Sequence, residues 1–142
     1  MCNEEKSFDV RGLGIYGFFK KNGDLYKIYQ PFIKDRKFIK IQDYLQGSEQ
    51  LRGLDNLVIT SSMKDGLALL SLGIHVDFVA PDSENTILSP EIIEQFKKQY
   101  KAICVILDRD TAGIKAMKEY QERYNLPFVY FQHEKDLADI VK

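Results

Sequence analysis

Asp108 and Asp110 stand one residue apart, directly after the apolar run Ala102-Ile-Cys-Val-Ile-Leu107 and just before Thr111-Ala112-Gly113. In an extended segment successive side chains alternate faces, so residues i and i+2 share one. Two carboxylates there could reach one point at a strand's C-terminal edge, where open α/β sheets place their ligands. Hard oxygen donors with little else suit Mg²⁺ or Mn²⁺, which keep water and complete their shells with phosphate oxygens. A second reading stays open. Asp110 is also a good N-cap for a helix starting at Thr111, with Asp108 an ordinary solvated strand end.

The surrounding pattern supplies elements to position these acids. From Leu57 onward strand-like and helix-like segments alternate, which predicts a parallel sheet of four strands covered by helices. The strands are expected at Leu57 to Thr60, Val76 to Ala80, Ala102 to Leu107 and Phe128 to Phe131. Helices are expected from Met63 to Leu72, from Pro90, capped by Ser89, to near Tyr100, and from Thr111 to Tyr124. Ile114, Ala116, Met117 and Tyr120 would form the buried stripe of the last helix. Acids then recur just past the strands: Asp65 after the first, Asp108 and Asp110 after the third, Asp136 and Asp139 after the fourth.

Upstream the chain is aromatic, basic and punctuated by turns. Ile15 to Phe19, Asn22-Gly23 and Leu25 to Tyr29 read as a β-hairpin, with Lys37 to Ile41 a third strand. Asp43 to Asn56 reads as a connector with a short helix. The expected organisation is a small β-rich annex over 1–54 and an α/β domain over 55–142. The net charge of −1 hides an asymmetry: residues 1–56 hold ten Lys/Arg against eight Asp/Glu, and residues 57–142 hold ten against thirteen. Lys20, Lys21, Lys27, Lys34, Arg36, Lys37 and Lys40 face only Asp24 and Asp35. Such a cluster attracts a phosphate backbone, so Lys20, Lys21, Lys27, Arg36, Lys37 and Lys40 are candidate nucleic-acid contacts. The same lysines equally suit the solvated face of a small sheet, where they discourage edge pairing.

Cys2 and Cys104 are the two cysteines, and His75 and His133 the two histidines. Without a CxxC pair they encode neither a disulfide framework nor a zinc site, which points to reducing cytosol. No apolar run approaches the roughly 18 residues of a membrane span, and the polar first residues do not suit a signal peptide. A cytoplasmic protein without membrane contact is expected. His75 and His133 read as surface residues. Arg109 is expected on the opposite side of the strand from the aspartates, pairing with a surface acid rather than touching substrate, and Gly113 where the helix closely approaches strand or phosphate.

The segments Leu57-Val-Ile-Thr-Ser-Ser-Met-Lys-Asp-Gly-Leu-Ala-Leu, Leu107-Asp-Arg-Asp-Thr-Ala-Gly-Ile-Lys-Ala and Lys135-Asp-Leu-Ala-Asp-Ile-Val resemble the Toprim domain of bacterial-type and phage primases. The likeness covers roughly residues 55 to 142, and its most specific part is Asp-x-Asp-x-Ala-Gly after an apolar strand. Leu25-Tyr-Lys-Ile-Tyr-Gln-Pro-Phe and Gln46-Gly-Ser-Glu-Gln-Leu are similar to the segment leading into Toprim in those primases. The resemblance implies Mg²⁺ or Mn²⁺ on Asp108, Asp110 and Asp136, with Asp65, Asp108 and Asp110 serving catalysis. It also implies nucleotide triphosphates and single-stranded DNA as substrates, RNA primers as product, and a replicative helicase or separate zinc-binding module as partner. The setting implied is a bacterial cell or a phage-infected one.

One departure bears on this directly. The family's first motif carries glutamate then glycine at the end of the first strand, where this chain has Ser61 and Ser62. A serine hydroxyl is a neutral donor and acceptor, unable to replace a carboxylate base. Ser62 with Asp65 also has the spacing of a capping box. The expectation is a variant primase, with a degenerate Toprim scaffold that binds nucleic acid or a replication partner as the alternative. A Toprim nuclease is a further alternative. A haloacid-dehalogenase-like phosphatase fits poorly, because its aspartate pair is followed by threonine two residues on, whereas Thr111 follows Asp110 directly.

Overall fold

Asn22 and Gly23 turn the chain back on itself in the first sheet, although in a different way from a turn with two positive φ values. Gly23 alone takes positive φ, at 96°, while Asn22 works through its side chain: Oδ1 accepts from the Asp24 amide at 3.0 Å. The Lys20 amide closes the loop onto the Asp24 carbonyl at 2.8 Å. The computed structural model describes residues 5–10, 13–82, 86–130 and Ile140. It divides into two units, Met1–Tyr44 and Leu45–Lys142.

In the first unit β1 (Glu5–Val10), β2 (Leu13–Phe19), β3 (Leu25–Tyr29) and β4 (Phe38–Lys40) form an antiparallel sheet in that order. The hairpin and third strand match the expected pattern, whereas β1, with the polar sequence Glu-Lys-Ser-Phe-Asp-Val, carries little apolar signal. Tyr26 is fully buried, its ring 4.4 Å from that of Tyr44.

The second unit holds β5 (Asn56–Thr60), α1 (Met63–Ser71), β6 (Asp77–Val79), α2 (Pro90–Gln99), β7 (Ala102–Ile106) and α3 (Thr111–Tyr124). Among the described residues the sheet has three parallel strands, ordered β6-β5-β7, rather than the expected four. The segment expected as the fourth strand makes a single parallel bridge between Phe128 and Val105. Pro127 has no N–H with which to extend that ladder; its carbonyl accepts from Val105 at 2.9 Å. Phe131 lies outside the described residues.

Burial follows the layering of helices on the sheet. Leu57, Val58, Ile59 and Thr60 of the central strand are all buried, as a strand covered on both faces requires. Ile93 and Phe96 of α2 and Ala116, Met117 and Tyr120 of α3 pack into the same core, with Ile114 at its margin. Tyr120 and Tyr124 clamp the backbone of one residue: the Leu88 amide donates to the Tyr120 hydroxyl at 3.1 Å, and the Tyr124 hydroxyl donates to the Leu88 carbonyl at 2.7 Å. Burial pushes the Tyr120 hydroxyl up to about 12.

Asp77 is the exception within an otherwise apolar strand. It is only 3% exposed, and its carboxylate accepts from the amides of Arg52, Gly53 and Leu54 at 3.0 to 3.2 Å and from the Tyr100 hydroxyl at 2.8 Å. Burial alone would raise its pKa, but the Tyr100 hydroxyl and the three amides hold it below the usual carboxylate value. The carboxylate thereby fixes the 52–54 turn to β6.

Candidate active site

β5 and β7 are parallel neighbours, paired from Asn56↔Ala102 to Thr60↔Ile106, so the chain leaves both at the same sheet edge. Ser61 follows β5 directly and Asp108 lies two residues beyond β7. The Ser61 Oγ accepts a hydrogen bond from the Asp108 amide at 2.9 Å. The position that carries glutamate in the resembling motif thus ties together the two loops leaving the sheet.

Asp108 and Asp110 are not strand neighbours, because β7 ends at Ile106 and Arg109-Asp110 forms a bend. Asp110 is the N-cap of α3: its backbone is extended, and Oδ1 accepts from the Gly113 amide at 2.8 Å. This does not exhaust a carboxylate, which offers two oxygens and about four lone-pair sites. A Cβ built on Gly113 would lie 1.9 Å from the Asp108 carbonyl oxygen and 2.9 Å from its carbon. Glycine is therefore required for the first turn of α3 to lie against the Asp108 peptide. Ser61 holds that residue's N–H, and Gly113 leaves room for its C=O.

Two residues past the end of β5, Ser62 caps α1. Its Oγ accepts from the Asp65 amide at 3.2 Å and donates to Asp65 Oδ2 at 2.7 Å. Both bonds run through the serine, unlike the reciprocal capping box in which the acidic side chain reaches the cap's own amide. Asp65 is 5% exposed. α1 packs closely on β6, since a Cβ on Gly66 would meet the Phe78 ring at 2.1 Å.

Arg109, Asp110, Thr111, Ile114, Lys115 and Lys118 line an open depression along the start of α3. Arg109 is exposed and shares this depression with Asp110, because there is no strand here to send them to opposite faces. Lys115 and Lys118 are not among the expected site residues. Their sequence signal is the i, i+3 spacing on the helix opened by the aspartate motif.

Among the described residues no group of three or more His, Cys, Asp and Glu side chains is arranged to hold a metal ion. Asp136, the expected third metal carboxylate, and His133 lie outside the described residues. The donor chemistry of the half-buried Asp108 and Asp110 fits Mg²⁺ or Mn²⁺, which bind through one or two carboxylates plus water and substrate oxygens.

The candidate nucleic-acid residues all fall in the first unit. Lys20 Nζ donates to Gln42 Oε1 at 2.7 Å and lies 5.5 Å from the Tyr44 ring centre. Lys27 lies over the Phe38 and Phe18 rings, and Lys40 pairs with Asp43. Lys21, Arg36 and Lys37 are exposed.

Comparison with known proteins follows the same lines. No curated protein matches the sequence. The primase fragment of the bacteriophage T7 primase-helicase superposes with TM-score 0.66 at 19% identity, over 96% of this chain and 61% of that one. A DNA primase domain from Pseudomonas aeruginosa gives 0.65 at 20% identity, over 93% and 47%. The Aquifex aeolicus primase, with its zinc-binding and RNA polymerase domains, gives 0.62 at 21%, over 91% and 36%. The chain thus spans less than two thirds of the length of these structures, and the likeness is one of fold. The model of the Toprim-like family matches residues 58–141, which contain every acidic position of the site, and the chain belongs to that family.

Proposed function

We propose that this chain is a primase, or a fragment of one, that makes RNA primers on single-stranded DNA by metal-dependent nucleotidyl transfer. The observation that carries the reading is the fixed Asp108 peptide, held by Ser61 and closely backed by Gly113, with Asp110 beginning α3 beside it. Membership of the Toprim-like family and the fold shared with primase domains support it.

In this reading Asp108 and Asp110 hold Mg²⁺ or Mn²⁺, joined by Asp136. When bound, the ion aligns a nucleotide triphosphate and offsets charge developing on the reacting phosphate. The chain's own contribution is positioning: the two bonded loops hold the carboxylates in place before substrate arrives. Asp65, buried and bonded to the Ser62 hydroxyl at the start of α1, joins Asp108 and Asp110 in catalysis. Arg109, Lys115 and Lys118 offer cations to triphosphate oxygens across the depression they share with Asp110. Lys20, Lys21, Lys27, Arg36, Lys37 and Lys40 hold the template's phosphates. A replicative helicase or a separate zinc-binding module is the proposed partner, in the cytoplasm of a bacterial or phage-infected cell.

Ribonucleotide incorporation on single-stranded DNA tests the reading. Mg²⁺- or Mn²⁺-dependent product, reduced at least about a hundredfold by Asp108→Asn, is expected from the weight of electrostatic positioning in such reactions. Absence of product on every template, even with helicase and zinc-binding module added, would remove it. A second reading, a non-catalytic Toprim scaffold that binds nucleic acid or a replication partner, is favoured by one observation: Ser61 stands where the family's first motif carries glutamate and supplies no carboxylate. Metal-independent DNA binding that survives Asp108→Ala, without turnover, would establish that reading.

A further inference from the structure

The sheet of the first unit carries two cross-strand rows on one face. Strand alternation and register place Tyr16, Tyr29 and Phe38 directly opposite one another across β2, β3 and β4, with Phe18, Lys27 and Lys40 in the next row. Tyr16 stacks on Tyr29 at 5.9 Å and Tyr29 on Phe38 at 4.8 Å, with interplanar angles of 29° and 18°. Phe38, at the outer end of this row, keeps 57% of its surface in solvent.

Lys27 and Lys40 are direct cross-strand partners. Like charges in that position destabilise a sheet, so their presence beside an open aromatic row needs a compensating ligand or neighbour. Lys27 lies 4.5 Å from the Phe38 ring centre and 5.8 Å from that of Phe18, and Lys40 reaches Asp43. These contacts moderate the repulsion and leave the face cationic. Phe38, more than half exposed although Tyr29 stacks on it and Lys27 lies over its ring, offers an unpaired strand two attractions: ring surface for a base, which Lys27 yields as it turns to a flanking phosphate, and positive charge for the phosphates.

We propose that Phe38, with Lys27 and Lys40, forms a stacking platform for one base of a single-stranded nucleic acid. This deepens the nucleic-acid reading given above and rests on it. It assigns base stacking to a particular ring and phosphate contact to two of the six candidate cations, leaving Lys20, which bonds Gln42, outside the platform.

The chain has no tryptophan, so Phe38→Trp introduces a single indole fluorophore at the platform. In EDTA, titration of this variant with an unlabelled oligo-dT or oligo-U 20-mer should quench its emission saturably, and duplex DNA should not. Anisotropy of fluorescein-labelled oligo-dT should report roughly tenfold weaker binding for Phe38→Ala, within the range of stacking losses. The Lys27→Gln/Lys40→Gln double variant should lower the salt slope by about 1.4, near 0.7 per phosphate contact. Lys98→Gln on α2 should change neither.

Oligonucleotide binding that leaves the indole emission of the Phe38→Trp variant unquenched would overturn the platform and leave the primase reading to the incorporation assay. Equal quenching by duplex, or no oligonucleotide binding at all, would also overturn it. Circular dichroism of each variant separates loss of binding from loss of fold. Because these assays omit metal and nucleotide, their failure is distinct from a failure to prime.

Discussion

The Ser61 hydroxyl accepts the backbone amide of Asp108 at 2.9 Å, joining the loops that leave β5 and β7 across the parallel sheet's edge. A glutamate here would bring charge to the edge; the serine brings a fixed hydrogen bond. Its removal by Ser61→Ala should cost about 1 kcal/mol, the usual net worth of such a bond. For a unit of this size that is roughly 4 to 8 °C in Tm, readable by calorimetry. An unchanged Tm would show that the bond contributes nothing to the fold.

Gly113→Ala places a methyl group against the Asp108 carbonyl, with main chain on both sides of the contact. Relief requires α3 or the Asp108 loop to move, so a loss of about 2 to 3 kcal/mol is expected, at the upper end of overpacking. Lys115→Ala, two residues on and exposed, should stay within about 0.5 kcal/mol. Chemical denaturation of both variants makes the comparison. Equal stability would mean that the close approach is unnecessary.

Ser62 and Asp65 should behave as one unit. Ser62→Ala removes an N-cap and the hydroxyl on the Asp65 carboxylate together, and a cap alone is worth about 1 kcal/mol. A double-mutant cycle with Asp65→Asn should give a coupling of at least about 0.5 kcal/mol. Strict additivity would contradict the observed bonding.

Asp77 gives stability a pH dependence of known sign. Its folded pKa lies below the ordinary value of 3.8, so the native state favours its ionised form more than the unfolded chain does. That contribution is present above the unfolded value and disappears as pH falls through the folded one. Unfolding followed from about pH 6 down to about pH 2 should show an acid-side loss that is smaller in Asp77→Asn, whose neutral amide is less stable at the upper end of that range. On the alkaline side the raised Tyr120 hydroxyl contributes stability below about pH 10 that is lost as pH climbs toward 12. Identical acid limbs for wild type and Asp77→Asn would contradict the assignment.

Much of the α/β architecture was legible because local chemistry and burial agree there. Ser62, Ser89-Pro90 and Asp110 announce the starts of α1, α2 and α3, and all three side chains cap as their types suggest. Other features depend on partners distant in sequence. Asp77 was hidden inside Val76 to Ala80 as part of an apolar strand; its partners lie 23 to 25 residues away in the 52–54 turn and at Tyr100. A carboxylate amid buried apolar residues was the clue that such partners must exist. At the site, two aspartates spaced by one residue suggest strand alternation, whereas the chain has already left β7 and Asp110 is starting a helix. The Ser61 bond was illegible for a simpler reason: 47 residues separate its partners, and the parallel pairing of β5 with β7 brings them together.

Calorimetric titration of Mn²⁺ and Mg²⁺ into the protein, alone and with nucleotide triphosphate, beside Asp108→Asn, decides whether Asp108 and Asp110 form a divalent-metal site. Saturable binding is expected in the wild type and is lost in the variant, which keeps its circular dichroism spectrum. Binding of equal strength in the variant, or none to either ion even with nucleotide present, would contradict such a site.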